Sequence, residues 1–436
     1  MSAPGLTAAE PGRPRPDGQV LRLLPAEGPH DLRAHLHRHG ALPLREAGRL
    51  IEAVEQSGLT GRGGAAFPAG RKLRAVAEAA ARASGRAGTV LVANGSESEP
   101  ASSKDSVLLA NAPHLVLDGI ALAGAAVGAA TSYLCVAEYR PELARAIAER
   151  AQAGLDAVPA QVSVTAPGYV SGQETALISA LNGGLPLPTL VPPLPAQRGA
   201  HRRPTLVLNV ETLAHIALIA RYGPAWFRQA GTAQAPGTAL VTIGGAVRAP
   251  GVYEIPLGVR LGELLAHAGL AGQPEAVLTG GYFGSWLPLP AALHAPVSAP
   301  GLREAGGALG PGVLAVLPGQ CCGLAETARV LGYLARQAAG QCGPCSNGTP
   351  ALAEAMNWIA FGRPRDDMIG WARQLTWLIT GRGACHLPDG AAALAASALD
   401  VFGEDVRAHA AGGPCARVSA PALLPIPATR PGGAGR

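Results

Sequence analysis

Lysine is nearly missing from this chain. Of 35 cationic residues among 436, only Lys72 and Lys104 are lysines. Aromatic residues make up 4%, and no basic run is interleaved with them, which argues against a nucleic-acid partner. Charged residues amount to only 15% with a net charge of +5, while 48% are hydrophobic and 58 are glycine. That balance excludes a disordered chain and predicts a compact protein of two or three domains. The N-terminal MSAPGLTAAEPGRPRPDG has no apolar core, so no secretory signal is expected. A membrane span needs ~20 apolar residues. The most apolar stretch, Leu115–Ala130, falls short of this, follows Pro113 and contains Asp118. The expectation is a soluble protein, cytoplasmic or peripheral to a membrane complex, with no direct span. Seven cysteines include a Cys-x-x-Cys pair, which in that compartment reads as metal or redox chemistry before disulfides.

Both lysines fall within Gly58–Lys104. Lys72 closes GLTGRGGAAFPAGRK and Lys104 closes NGSESEPASSK. Glycines let backbone N–H groups approach an anion or a planar ring, and a lysine adds a point charge. The pair of segments therefore reads as a nucleotide or flavin site, with a surface loop as the competing reading. Gly61-x-Gly63-x-x-Ala66 formally matches the dinucleotide fingerprint. That fingerprint requires a preceding strand, and LREAGRLIEAVEQSG has helical spacing instead. The segment also lacks the Gly-Lys-Ser/Thr ending of a P-loop.

Apolar runs at Thr89–Gly95, Ser132–Tyr139, VSVTAP and TLVLN predict strands. They alternate with helices at Pro113–Ala130, from Pro141, through ETALISALNG, and from near Val210. This predicts an α/β domain with a largely parallel sheet over 20–232. Strand–turn–strand–helix texture from ALVTIGGAVRAPGVYEIP onward outlines a β-grasp (ubiquitin-like) module over 233–318. Helical periodicity in four segments over 319–417 predicts a four-helix bundle. The Pro/Gly-rich ends, 1–19 and 418–436, read as disordered tails.

GLTGRGGAAFPAGRK resembles the FMN-binding loop of the flavoprotein (FMN- and NADH-binding, F-type) subunit of respiratory complex I. The same subunit type serves as the diaphorase of NAD-linked hydrogenases and formate dehydrogenases. NGSESEPASSKDSVLLANAPHLVLDG, YVSGQETALISALNGG, LNVETLA and CGPCSNGT resemble the family's later blocks, in order, over about residues 35–412. The resemblance implies FMN held by Gly61, Gly63, Gly64 and Lys72, with Asn94, Ser96, Glu97, Tyr169, Asn209 and Thr212 completing its shell. It implies NADH contacts at Phe67, Glu99 and Glu174, and a [4Fe–4S] cluster on Cys342, Cys345 and Cys385. No residue need act as a general base. GGAVRAPGVYEIPLGVRLGELL is similar to the family's soluble-ligand-binding β-grasp (SLBB) module and reads as a connector.

Several positions depart from the family pattern: Ser96, Gln173 and Leu208 in the flavin blocks, and Val191 and Leu194 where a lysine and a phenylalanine would meet NADH. The first cysteine of the family's C-x-x-C-x-x-C falls on Ala339, and such a cluster wants four thiolates. A cluster with a solvent or non-cysteine ligand, a zinc site on the three cysteines plus His386, and no metal remain open. Cys321 and Cys322 precede a helix of about 16 residues, whose far end lies ~24 Å away, and Cys135 and Cys415 read as structural or incidental. The function implied is electron passage from NADH through FMN to the cluster and on to a ferredoxin-like or thioredoxin-like iron–sulfur partner. Two alternatives are an FMN relay fed by a ferredoxin-like protein and a non-catalytic assembly or ligand-binding subunit.

Overall fold

The computed structural model describes residues 21–26, 28–82 and 88–427. The tail expected at 1–19 and residues 428–436 of the second tail lie outside them. In the first unit, α1 (Leu32–His39), a 3₁₀ turn at Leu44–Arg49 and α2 (Leu50–Ser57) lead to the glycine-rich segment, which runs into α3 (Ala69–Arg82). No strand precedes that segment among the described residues, in keeping with its helical spacing. Then follow β1 (Thr89–Gly95), α4 (Lys104–Asn111), α5 (Pro113–Val127), β2 (Ala129–Val136), α6 (Pro141–Gln152), β3 (Ala160–Val164), α7 (Glu174–Leu181), β4 (Thr205–Asn209) and α8 (Val210–Phe227). The sheet is fully parallel in the order β3-β2-β1-β4.

Helices α5 and α8 pack backbone to backbone. A Cβ on Gly119 would lie 2.0 Å from the Leu213 carbonyl oxygen, so only glycine permits this approach. Asp118 beside it is buried and paired with Arg150 (2.7 Å), Arg221 and His35 Nε2 (2.8 Å). Burial pushes its carboxyl upward, but the His35 hydrogen bond and the two guanidinium groups hold it at about 2. The apolar stretch is thus a core helix organised around a buried ion cluster. Among the described residues no single helix is long and apolar enough to cross a membrane.

The second unit comprises β5 (Thr238–Gly245), β6 (Gly251–Pro256), α9 (Leu261–His267), β7 (Ala276–Thr279), β8 (Ser285–Pro288), α10 (Ala299–Glu304) and β9 (Val313–Val316). Its five strands run β6-β5-β9-β7-β8, with β5 and β9 parallel and the other pairs antiparallel. Leu261, Leu264 and Leu265 of α9 pack into its core with Val241, Val277 and Val316.

The third unit is helical: α11 (Gly323–Gln337), α12 (Thr349–Phe361), α13 (Asp366–Ile379), α14 (Leu387–Val401) and α15 (Gly403–Gly412). Neighbours α11–α12, α12–α13, α13–α14 and α14–α11 close a ring, and α15 packs on α12 and α14. The last periodic segment, expected as one helix, is therefore two. The break falls at Phe402, whose ring packs edge-on against Trp286 and would contact any side chain at Gly323. Residues 418–427 are also ordered, contrary to the expected tail. Leu423 and Leu424 donate their amides to Glu326 Oε2, and the Leu424 side chain is buried. The apolar residues within that Pro-rich segment supply the burial that its composition conceals.

Candidate functional site

In a parallel sheet the crevice outside the carboxyl ends of the strands, where the connections diverge to opposite sides, is the natural ligand site. Here that point lies between β1 and β4. Their last polar residues, Asn94 and Asn209, are paired in register. Asn94 Nδ2 donates to the Gly172 carbonyl (2.8 Å), drawing the α7 loop over the crevice. Asn209 Oδ1 accepts the Glu211 amide (2.9 Å) and so caps α8. The glycine-rich segment crosses the same end: Arg62 N–H donates to Thr212 Oγ1 (2.9 Å), and Gly63 lies against Asn209.

Lys72 sits in the first turn of α3, its Nζ 2.9 Å from Glu174 Oε1 in the first turn of α7. Gln173 caps α7 through Oε1, accepting from Thr175 and Ala176 amides, a role that a glutamate there would fill equally. Leu208 points into the core. Ser96 is 3% exposed, and its hydroxyl has no hydrogen-bond partner among the described residues. A buried, unpaired hydroxyl beside the Gly172 backbone suits a polar ligand group.

Glu97 departs from the role expected of it. Its carboxylate accepts from the Asp105 and Ser106 amides (both 2.9 Å) and from Ser102 Oγ, capping α4. Behind the site lies a charged cluster that sequence reasoning missed. Lys104, with its amine expected near the ligand, is 2% exposed and ion-paired with Asp105 Oδ1 (2.6 Å) and Glu211 Oε2 (2.9 Å). Burial alone would lower its pKa, but the two carboxylates outweigh that and raise it. Gly61, Arg62, Gly64, Lys104 and Glu211 line a cavity of about 200 Å³, together with Gly310 and Pro311, which lie against Gly64.

Of the residues expected to meet NADH, Phe67 is 54% exposed, while Glu99 is buried. Glu99 Oε2 accepts from the Tyr169 hydroxyl (2.8 Å) and the Tyr282 amide (2.9 Å), and Oε1 accepts from the Ala101 amide. A Cβ on Gly281, at φ +75°, would lie 2.5 Å from that carboxylate. Tyr169 is thus committed to Glu99 and to rings of the neighbouring units, Tyr282, Phe283 and Tyr333. Val191 and Leu194 are about half exposed.

The three cysteines expected at the metal site converge. Cys345 interacts through its thiol with both Cys342 and Cys385. The hydrogen bond with Cys345 lowers the Cys385 thiol, against the opposing cost of its burial. His386 does not join them: its side chain is 89% exposed and turned toward Asp389, at 3.6 Å. This disposes of the expected three-cysteine-plus-His386 zinc site. Ala339 follows α11 three residues before Cys342, in the linker that Ser346 Oγ ties down at Gly340 O. Three neighbouring thiols fit an iron–sulfur cluster as a donor set.

Comparison with known proteins matches this layout unit by unit. Residues 54–218 match the Nuo51 FMN-binding domain family, 240–278 the SLBB domain, and 325–409 the NADH-ubiquinone oxidoreductase-F iron–sulfur binding region. The F 2 subunit of NADH-quinone oxidoreductase from Rhizobium meliloti (strain 1021) is 32% identical over 411 residues, 90% of this chain and 95% of that protein. The F subunit of the Mycobacterium bovis (strain ATCC BAA-935 / AF2122/97) NADH-quinone oxidoreductase is 34% identical over 386 residues, covering 84% and 85% respectively. The chain belongs to the NADH-quinone oxidoreductase F-subunit family. Its fold is similar to a chain of the NAD⁺-reducing [NiFe]-hydrogenase in the H₂-reduced state, with TM-score 0.78, 29% identity, and coverage of 87% of this chain and 67% of that one.

In this F-type flavoprotein, Glu99 gives a pH-dependent stability. Burial raises its carboxyl from 4.5 to about 7, against the hydrogen bonds from Tyr282, Tyr169 and Ala101. The folded chain therefore binds a proton that the unfolded chain releases. This contribution is complete below pH 4.5 and lost as pH rises through about 7. It should amount to on the order of 3 kcal/mol. Urea denaturation of wild type and E99Q at pH 5 and pH 8 checks this: E99Q should lose most of the downward slope. Equal slopes in the two proteins would refute the shift.

Proposed function

We propose that this chain is the flavoprotein subunit of an electron-transfer oxidoreductase, receiving electrons from NADH and delivering them to an iron–sulfur partner protein. The observation that carries this reading is that the glycine-rich backbone reaches the carboxyl ends of β1 and β4, where Arg62 N–H bonds Thr212, with the unpaired Ser96 hydroxyl just past β1 and Lys72 tied to the start of α7 through Glu174. Gly61, Gly63, Gly64 and Lys72 would hold the phosphate end of FMN, and Ser96 would donate to it. Asn94, Asn209, Thr212 and the Glu97 carboxylate position the loops that form the wall. Bound there, FMN supplies acceptance of a hydride and release of single electrons. Tyr169 holds Glu99, which keeps a proton near neutral pH beside the nicotinamide side.

Domains at 20–232, 233–318 and 319–417 are supported by three main cores, although the core of the helical unit also takes in Tyr169, Tyr282 and Trp286. We read the middle unit as a β-grasp module and the last as a four-helix ring with an added fifth helix. A ferredoxin-like or thioredoxin-like iron–sulfur subunit as partner is supported by Trp371 and Trp377, exposed on α13, which packs against the turn carrying Cys345.

Visible spectra of anaerobically purified protein test the assignment. Flavin bands over broad cluster absorption are expected, with the flavin bands bleaching on addition of NADH. A colourless protein that cannot be reconstituted would refute it. The exposed Leu185, Leu190, Val191 and Leu194 favour a second reading, an FMN relay fed by a ferredoxin-like protein. Flavin that stays oxidised with NADH but bleaches with reduced ferredoxin would select it.

A further inference from the structure

Away from both sites, the start of α11, the last helix and the segment after it bring together three side chains that no element of the function uses. Cys322 is the N-cap residue of α11, His409 lies on α15, and Cys415 follows that helix. Their ligand atoms, two sulfurs and an imidazole nitrogen, all lie within 4.8 Å of one another. Cys322 and His409 are fully buried and Cys415 is half-buried. We propose that Cys322, His409 and Cys415 bind a zinc ion, with solvent as the fourth ligand.

The imidazole is set up as a ligand. His409 Nδ1 is 3.1 Å from the Ile359 carbonyl at the end of α12, so it carries the proton and donates. That leaves Nε2 with its lone pair toward the two thiols. A backbone carbonyl on the remote nitrogen is the usual way a metal-binding histidine is oriented and its tautomer fixed. Without metal the lone pair accepts the Cys415 amide at 3.2 Å. Zinc entry exchanges that weak bond for a coordinate bond, and the half-buried Cys415 gives a path from solvent. Two thiolates and one imidazole at this spacing suit tetrahedral zinc with one open position.

This site is separate from the cluster cysteines. Cys322 caps one end of the 15-residue α11, and Cys342 lies beyond the other, roughly 22 Å along the helix. The metal would staple α15 and the C-terminal segment to the start of α11. The same segment already rests on α11 through Leu423 and Leu424 on Glu326, and through Val418 and Ala420 carbonyls on Arg329. Sequence spacing hides the set because Cys322 lies far upstream of the other two.

The test uses the full-length holoprotein, purified anaerobically, given one equivalent of zinc and desalted. Zinc and iron are counted by elemental analysis, and zinc affinity is measured against a chromophoric chelator. One zinc per chain is expected in wild type. C415S, altered at the half-buried position, should bind zinc at least ~10-fold more weakly with iron and flavin contents unchanged. H409Q should behave alike, and cobalt(II) should give thiolate charge-transfer bands in wild type that C415S lacks. Wild type that retains no zinc, equal zinc in wild type and C415S, or a Cys322–Cys415 disulfide in the anaerobic protein would each overturn the proposal.

Discussion

K104M should cost the fold about 3–5 kcal/mol, the penalty for removing one partner of a buried ion cluster. Lys104 is enclosed, with Asp105 and Glu211 carboxylates at 2.6 and 2.9 Å and the Asn209 amide oxygen at 3.3 Å. Taking away the ammonium leaves the buried Asp105 and Glu211 carboxylates without their shared cation. Even with Lys104 present, burial raises Asp105 from 3.8 to about 6. In K104M Asp105 keeps only the Asn209 amide, at 2.7 Å, and must take up a proton or stay as a buried charge with no cation on it. A group whose folded pKa is raised contributes stability at low pH and loses it as pH rises. The deficit should therefore be larger at pH 8 than at pH 5.5. Lys72 provides the contrast, since its pair with Glu174 is partly solvated and worth at most about 1 kcal/mol. K72A should leave the unfolding midpoint nearly in place while weakening flavin retention. Urea denaturation followed by circular dichroism, with flavin content read on the same samples, separates the two. A loss under about 1 kcal/mol for K104M would contradict the burial argument.

A339C should add a fourth thiolate to the three that we propose hold the cluster, Cys342, Cys345 and Cys385. A [4Fe–4S] cluster takes four thiolates, and the iron without one is the first to be lost to oxidation. After reconstitution and brief exposure to air, wild type should fall to about three iron per chain and A339C should keep about four. The oxidised three-iron species gives a paramagnetic signal that should be strong in wild type and absent in A339C. Position 339 is half-buried in the linker that Ser346 Oγ ties to Gly340, so a cysteine enters ordered backbone three residues before Cys342. Identical iron loss in both proteins would show that residue 339 does not face the cluster. C345S should lose the iron altogether, because Cys345 contacts both other thiols.

Much of the architecture was legible in the sequence. Thr89–Gly95 is an apolar run closed by a turn and became β1 with those bounds. Proline at the first position marked the starts of α5 and α6. Strand–helix alternation implied the parallel sheet, and the ends of β1 and β4 carry the asparagines expected at the ligand. These features are local, set by period, caps and turn residues that neighbours in the chain supply.

The partners of the polar side chains were not legible. Lys104 reads as a ligand-facing amine until packing buries it between Asp105 and Glu211. Glu97 reads as a pocket carboxylate until its own backbone turns it onto the start of α4. Glu99 meets Tyr169, 70 positions away, because the connections after β1 and β3 leave the same end of one parallel sheet. Cys415 reads as incidental until α15 brings His409 beside it and α11 brings Cys322. Elements, parallel sheet and family membership all follow from the order of the residues. Which charges hold the fold and which groups remain for a ligand emerges only once the units have packed. Hydrophobic periodicity places elements, but a buried polar group takes its partner from whatever distant backbone or side chain the packing sets within reach.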